Sequence, residues 1–172
     1  HLSIRRQRQM CIRDRIESVH VRFLKGNNYK IEKPVTVLNY EENENTLILL
    51  HQGNLKFGEE QELVNESEVL FIPKARKTQI TFGTGSKKNE VELTAFTESK
   101  RKYLQSISFR DIKTADEDCI SLIQFESKVF DVVNFFNSLD IPPFIIRFND
   151  RISALIEDII KELEVNLSLI HI

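Results

Sequence analysis

Cysteine is the first shortage. Only Cys11 and Cys119 occur in the 172 residues, too few for a disulfide scaffold or a four-cysteine zinc cluster. Such sparse usage fits a reducing compartment, and the protein is expected in the cytoplasm. Histidine is equally scarce, with four in the chain. No stretch approaches the ~20 consecutive apolar residues of a membrane helix. No Gly-x-Ser-x-Gly elbow marks a nucleophilic serine, and no glycine-rich loop marks a phosphate cradle. Internal repeats and low-complexity tracts are also missing. These absences leave no catalytic constellation and no cofactor motif, so the chain is not expected to be an enzyme.

What is present begins with two misleading ends. Residues 167–172 read Leu-Ser-Leu-Ile-His-Ile, and residues 10–15 read Met-Cys-Ile-Arg-Asp-Arg. The codons CTG TCT CTT ATA CAC ATC encode the first. Their reverse complement, read in another frame, encodes the second. One short DNA element on opposite strands accounts for both, and it resembles the end of a transposase-based sequencing adapter. Residues 1–15 and 167–172 are therefore expected to be non-native and are set aside. The alternative is a natural arginine-rich tail able to bind nucleic acid. Setting them aside leaves Cys119 as the native cysteine. Five of the 24 bases and one of the 26 acids lie in residues 1–15, so the remainder carries 19 bases against 25 acids, a net charge of −6. A DNA-reading surface needs clustered lysine and arginine to displace phosphate counterions. An acidic body argues against this segment being the DNA reader.

The remaining ~150 residues suit one domain with its own core. Residues 17–97 read as closely spaced short strands. Val19-His20-Val21-Arg22-Phe23 alternates, as does Gln79-Ile80-Thr81-Phe82. Thr46 to Leu50 and Val69 to Ile72 are continuous apolar runs, the pattern of strands buried on both faces. Gly53 and Pro73 punctuate them. Val91 to Phe96 alternates again and predicts another strand. Many short strands with turn signals between them indicate a sandwich or barrel. Residues 100–118 are charged and unassigned. Ile120 to Phe125 reads as one more strand.

The period then changes. Val129, Val132, Val133 and Phe136 fall at helical spacing, which predicts a helix over 128–139, stopped by Pro142 and Pro143. Asp150 caps a second helix whose apolar positions are Ile152, Leu155, Ile156, Ile159, Ile160 and Leu163. The expected class is mainly β with C-terminal helices.

The run Thr46-Leu-Ile-Leu-Leu-His-Gln-Gly-Asn-Leu-Lys-Phe57 resembles a cupin strand pair returning through a glycine turn. Ser67-Glu-Val-Leu-Phe-Ile-Pro-Lys-Ala75 follows as an apolar strand before a proline. Phe125 to Phe136, Ile141-Pro-Pro-Phe144 and the helix from Asp150 complete the order. Over roughly residues 30–165 the chain resembles the sensor half of an AraC-family transcription regulator. The resemblance implies a cupin-like jelly-roll barrel over 16–125, followed by two helices in a dimerisation and linker segment over 126–166. It implies a small-molecule effector in the barrel and a homodimer. DNA would be contacted only through a C-terminal domain not present here, and no membrane is involved. The alternatives are a small cupin enzyme, such as an isomerase or dioxygenase, and a stand-alone ligand-binding domain.

Metal-binding cupins use a histidine pair, a glutamate and a later histidine. Here His51 stands alone, and Lys74 to Thr78 after Pro73 contain no histidine, so no metal site is expected. Arg22, Tyr40, His51 and Arg76 are the candidate effector-binding residues. For each, a structural or solvated role is the simpler reading. Ile152, Leu155, Ile156, Ile159 and Leu163 form the candidate dimer face. That stripe must be covered by the barrel's own flank or by a partner, and the resemblance favours a partner.

Overall fold

The computed structural model describes residues 19–84, 89–130, 132–147 and 150–170, with side chains described as far as Val165. Residues 1–15 and 171–172 lie outside the described residues, so the adapter-like ends are described only where the last helix continues through 167–170.

Two sheets face each other. The strands are β1 (Val19–Ile31), β2 (Val35–Tyr40), β3 (Asn45–Gln52), β4 (Leu55–Phe57), β5 (Glu62–Val64), β6 (Val69–Ile72), β7 (Thr78–Phe82), β8 (Glu90–Glu92), β9 (Leu104–Ile107), β10 (Cys119–Val129), β11 (Val133–Asn134) and β12 (Phe144–Ile146). The large sheet runs β12-β6-β3-β10-β1-β9, with β11 joined to the end of β10. The small sheet runs β5-β4-β7-β2-β8. Pairing is antiparallel except between β2 and β8. Five helices accompany them among the described residues: α1 (Leu93–Glu98), α2 (Lys100–Tyr103), α3 (Phe109–Thr114), α4 (Phe135–Ser138) and α5 (Asp150–Ile170).

The continuous apolar runs follow from burial on both faces. Successive side chains of a strand point to opposite sides. Ile48, Leu50, Leu70, Ile72, Ile120 and Leu122 of the large sheet point inward and meet Val35, Val37, Leu55, Ile80 and Phe82 of the small one. Leu49, Val69, Cys119 and Ile123 point the other way, beneath α3 and α5. The large sheet is thus the middle of three layers.

Three expectations change. The strand over Val91 to Phe96 ends at Glu92, and α1 begins at Leu93. Leu93 and Phe96 both join the inner core, a spacing of three that a helical turn satisfies. The helix over 128–139 does not form. β10 runs on to Val129, opposite Val19 of β1, and Phe130 turns the chain with φ 53°. Among the described residues there, only the four of α4 are helical. The phenylalanines pack across the sheet instead: Phe71 lies 4.9 Å from Phe136, 5.3 Å from Phe144 and 6.1 Å from Phe125, between ring centroids. β12 then adds to the large sheet beside β6. The barrel is therefore followed by one long helix and a four-residue turn of helix, not by two comparable helices.

The third change concerns the stripe on α5 read as a dimer face. Ile156 and Ile160 are buried against the outer face of the large sheet, with Ile152 and Ile159 packed beside them. Leu163 approaches Gly26 of β1 so closely that a Cβ there would lie 2.8 Å from its Cδ1. Of the proposed face only Leu155 is turned to solvent, 56% exposed. The physical reason is the apolar row Leu49, Val69, Cys119 and Ile123, which needs a cover and receives it from the same chain. Ile160→Ala should therefore cost about 2–5 kcal/mol in urea unfolding. Leu155→Ala should cost less than about 1 kcal/mol. Equal losses, or a larger loss at Leu155, would place the stripe elsewhere.

Candidate functional site

Two features of the large sheet have the chemistry of a site. They occupy opposite faces of β1, at consecutive residues.

The first is a polar row beneath α5. Asn28, Ser121 and His51 stand on neighbouring strands β1, β10 and β3 among apolar residues, with Asn28 and Ser121 fully buried. Buried polar groups need partners, and each finds one. His51 Nε2 lies 2.5 Å from Ser121 Oγ. Ser121 Oγ donates to Asn28 Oδ1 at 2.7 Å. Asn28 Nδ2 donates to Glu164 Oε1 on α5 at 2.8 Å. Because the serine proton goes to Asn28, its oxygen must accept from His51, which assigns the Nε2–H tautomer. The Phe109 amide, at the start of α3, donates to the same Glu164 oxygen at 2.9 Å. A row of donors thus runs one way and ends on a carboxylate. Glu157, two turns earlier on α5, lies 3.9 Å from His51 Nδ1. A small cavity of about 170 Å³ opens here between His51, Phe109, Ile112, Cys119 and Glu157.

The second feature is a cavity of about 540 Å³ at the rim of the large sheet. Its floor is Tyr29 of β1 with Leu104 and Ser106 of β9, and its wall is the segment 97–102. Tyr29 pairs with Ser106 and Ile31 with Leu104, so the floor is the inner face of the large sheet at its edge. Lys100, Arg101 and Lys102 bring three cations to the wall against Glu98. Lys100 Nζ sits 4.9 Å from the Tyr29 ring centre, within cation–π range. Burial pushes the Tyr29 phenol above its ordinary value, so it stays a neutral donor. The volume falls in the range of about 300–1,000 Å³ usual for small-ligand sites, and a charged wall stands against a floor whose apolar part is Tyr29 and Leu104.

The four candidate effector residues are not brought together. Arg22 projects to solvent from β1 and pairs with Glu126 at 2.9 Å. Arg76 pairs with the exposed Asp140. Tyr40 lies inside the core, edge-on to Phe82 and Phe96, with its hydroxyl on Glu42. His51 lies on the opposite face, in the polar row. Tyr29 and the basic segment 100–102, which line the larger cavity, were not singled out, because the segment reads as unassigned charge and Tyr29 as a lone aromatic. Ser121 did carry a signal, as a polar residue inside the apolar run from Ile120 to Phe125. Among the described residues, no group of three or more His, Cys, Asp or Glu side chains comes together to hold a metal. Among the same residues, no helix is long and apolar enough to cross a membrane.

The buried imidazole makes the polar row sensitive to acid. Burial lowers the His51 pKa from 6.5 to about 4. As pH falls, the unfolded chain takes up this proton before the folded one does. His51 therefore contributes stability that is full above pH 6.5 and is lost between there and about pH 4. His51→Gln keeps a donor towards Ser121 and removes the titration. Its stability should vary less with pH than the wild type's in the upper half of that window, above the carboxylate range. Parallel curves for the two proteins, from urea unfolding at each pH, would contradict this.

No family model matches the chain, and no curated protein matches it. Solved structures of ToxT from Vibrio cholerae, an AraC-family regulator, are similar to it. One, at 1.65 Å resolution, is 12% identical, with 83% of this chain and 47% of that chain covered at a TM-score of 0.42. A second is 10% identical, with 85% and 46% covered at the same TM-score of 0.42. The chain spans about half the length of the ToxT chains it matches. A likeness of this size carries no conclusion about function.

Proposed function

We propose that this chain is the effector-sensing domain of an AraC-type transcription regulator, with a cupin-like jelly-roll barrel, and that its effector is a small anion. In this reading the protein is cytoplasmic and acts on DNA through a separate domain. The observation that supports the sensing role is the rim cavity, lined by the consecutive Lys100, Arg101 and Lys102 beside a floor of Tyr29, Leu104 and Ser106. Arg101 supplies a planar pair of donors suited to a carboxylate or phosphate, and Lys100 and Lys102 supply point charges.

The same geometry supports a route outward. Tyr29 faces the cavity, while its neighbour Asn28 holds Glu164 of α5 on the other side of the strand. β9 carries Ser106 into the cavity and leads in three residues to Phe109, whose amide holds the same carboxylate. A ligand that tightens the β1–β9 edge would therefore alter how firmly α5 is seated. The ligand shifts that equilibrium only as far as its affinity differs between the two seatings.

Thermal-shift screening of small mono- and dicarboxylates, phosphate monoesters and neutral sugars, followed by calorimetry, tests the reading. An anionic compound should raise the melting temperature. The triple variant Lys100→Ala, Arg101→Ala, Lys102→Ala should weaken its binding at least about tenfold, or about 1.4 kcal/mol. Stabilisation by neutral sugars alone would overturn the anion preference. Binding unchanged in the triple variant would move the site away from the rim.

A further inference from the structure

A second charged cavity lies on the helix side of the large sheet, on the face opposite the rim cavity. It measures about 560 Å³ and opens between α3 and α5. Phe109, Arg110 and Lys113 line it from α3, and Lys161, Glu164 and Val165 line it from α5. Phe109 forms the floor, buried with Ile112 against the outer face of the sheet. The three cations come from two distant segments of the chain, so only the fold brings them together.

The floor gathers the charges. Lys113 Nζ lies 5.5 Å from the Phe109 ring centre, and Lys161 Nζ lies 4.9 Å from it. Both are within cation–π range. One ring therefore holds two ammonium groups, and Arg110 adds a third cation to the same cavity. Like charges in one small space repel, and the ring offsets part of that repulsion.

Local acid does not complete the balance. One oxygen of Glu164 already accepts from Asn28 Nδ2 and from the Phe109 amide. Among the described residues, none of Arg110, Lys113 and Lys161 forms an ion pair. Three cations against one engaged carboxylate leave the cavity with an excess of two positive charges. The chain as a whole carries a net charge of −2, so the excess is local.

We propose that this cavity binds a phosphate dianion, free or as the monoester of a small molecule. Such a group carries about two negative charges near neutral pH and three acceptor oxygens. The Arg110 guanidinium offers a planar pair of donors, and Lys113 and Lys161 supply point charges. A monocarboxylate would balance only half of the excess. The volume exceeds that of phosphate itself and leaves room beside Val165 for the organic part of a monoester. Bound there, the anion joins Arg110 and Lys113 of α3 to Lys161 of α5 and fastens the long helix to the short one. The proposal stands whether or not the rim cavity takes an anion, because the two cavities share no residue.

Calorimetry on the 172-residue chain in chloride buffer tests it, with inorganic phosphate and glycerol phosphate as probes. Whichever binds more tightly distinguishes the free ion from a monoester, and both should raise the melting temperature as their concentration rises. Lys113→Gln combined with Lys161→Gln should weaken binding at least about tenfold. Arg110→Gln should weaken it too, and it leaves the two lysines on the ring should their replacement disturb folding. The rim variant Lys100→Ala, Arg101→Ala, Lys102→Ala should bind phosphate as the wild type does. Phosphate should bind more weakly at about pH 5.5 than at about pH 7.5, because it loses its second charge near pH 6. Sulfate, a dianion at both, should bind alike at the two. No binding of either phosphate probe at millimolar concentration would overturn the proposal. So would binding that survives both the lysine and the arginine variants, or binding abolished by the rim variant. Equal pH dependence for phosphate and sulfate would overturn the dianion. Retention of a DNA duplex without binding of either small probe would also contradict it, since each phosphodiester carries a single charge.

Discussion

One oxygen of Glu164 accepts from both Asn28 of β1 and the amide of Phe109 in α3. Through that atom the long helix, the short helix and the central sheet are tied together. The tie is needed because the large sheet is covered on both faces. Leaving polar groups unsatisfied in that position is costly, and Asn28 and Ser121 are buried in the sheet with no solvent to turn to. The carboxylate terminates their row of donors. Charge-assisted hydrogen bonds of this kind are stronger than neutral ones and more directional than the apolar contacts around them. Ile156 and Ile160 supply the area that seats α5, and Glu164 sets where along the sheet it sits.

The two faces of β1 give this arrangement its functional interest. Tyr29 belongs to the inter-sheet core and the rim cavity, while Asn28 belongs to the helix seam. Strand geometry alone puts neighbouring side chains on opposite faces, so a change at one face is passed to the other through a single peptide unit. β9 repeats the connection, from Ser106 in the cavity to Phe109 at the seam. Two neighbouring strands at one edge of the sheet thus share a ligand-sized cavity on one side and the docking of a 21-residue helix on the other.

Much of the β framework was legible because burial imposes its own period. Val19 to Phe23, Thr46 to Leu50, Val69 to Ile72 and Gln79 to Phe82 all lie in strands, and Ile120 to Phe125 does too. The failures share one cause. Val129, Val132, Val133 and Phe136 sit at helical spacing, yet a long strand, a turn with positive φ at Phe130 and an aromatic cluster around Phe71 satisfy the same apolar residues. Spacing reports that residues are buried, not which backbone buries them. The α5 stripe illustrates the companion ambiguity, since an apolar helix face does not say whose surface covers it. Among the site residues, His51 proved structurally engaged on the helix side, and Arg22 and Arg76 proved to be surface ion pairs. Nothing local could reveal Asn28, because its role depends on Glu164, 136 residues away. The rim lysines lie in a charged stretch whose period matches neither helix nor strand for long.

The polar row fixes α5 to the sheet through Glu164. A double-mutant cycle measures it: urea unfolding of the wild type, Asn28→Ala, Glu164→Ala and the double variant. If the hydrogen bond couples sheet and helix, the two losses will not add, and the coupling energy will be about 1.5–3 kcal/mol, as for hydrogen bonds to charged groups. Losses that add within about 0.5 kcal/mol would show that the two residues act independently, and α5 would then be held by apolar contact alone.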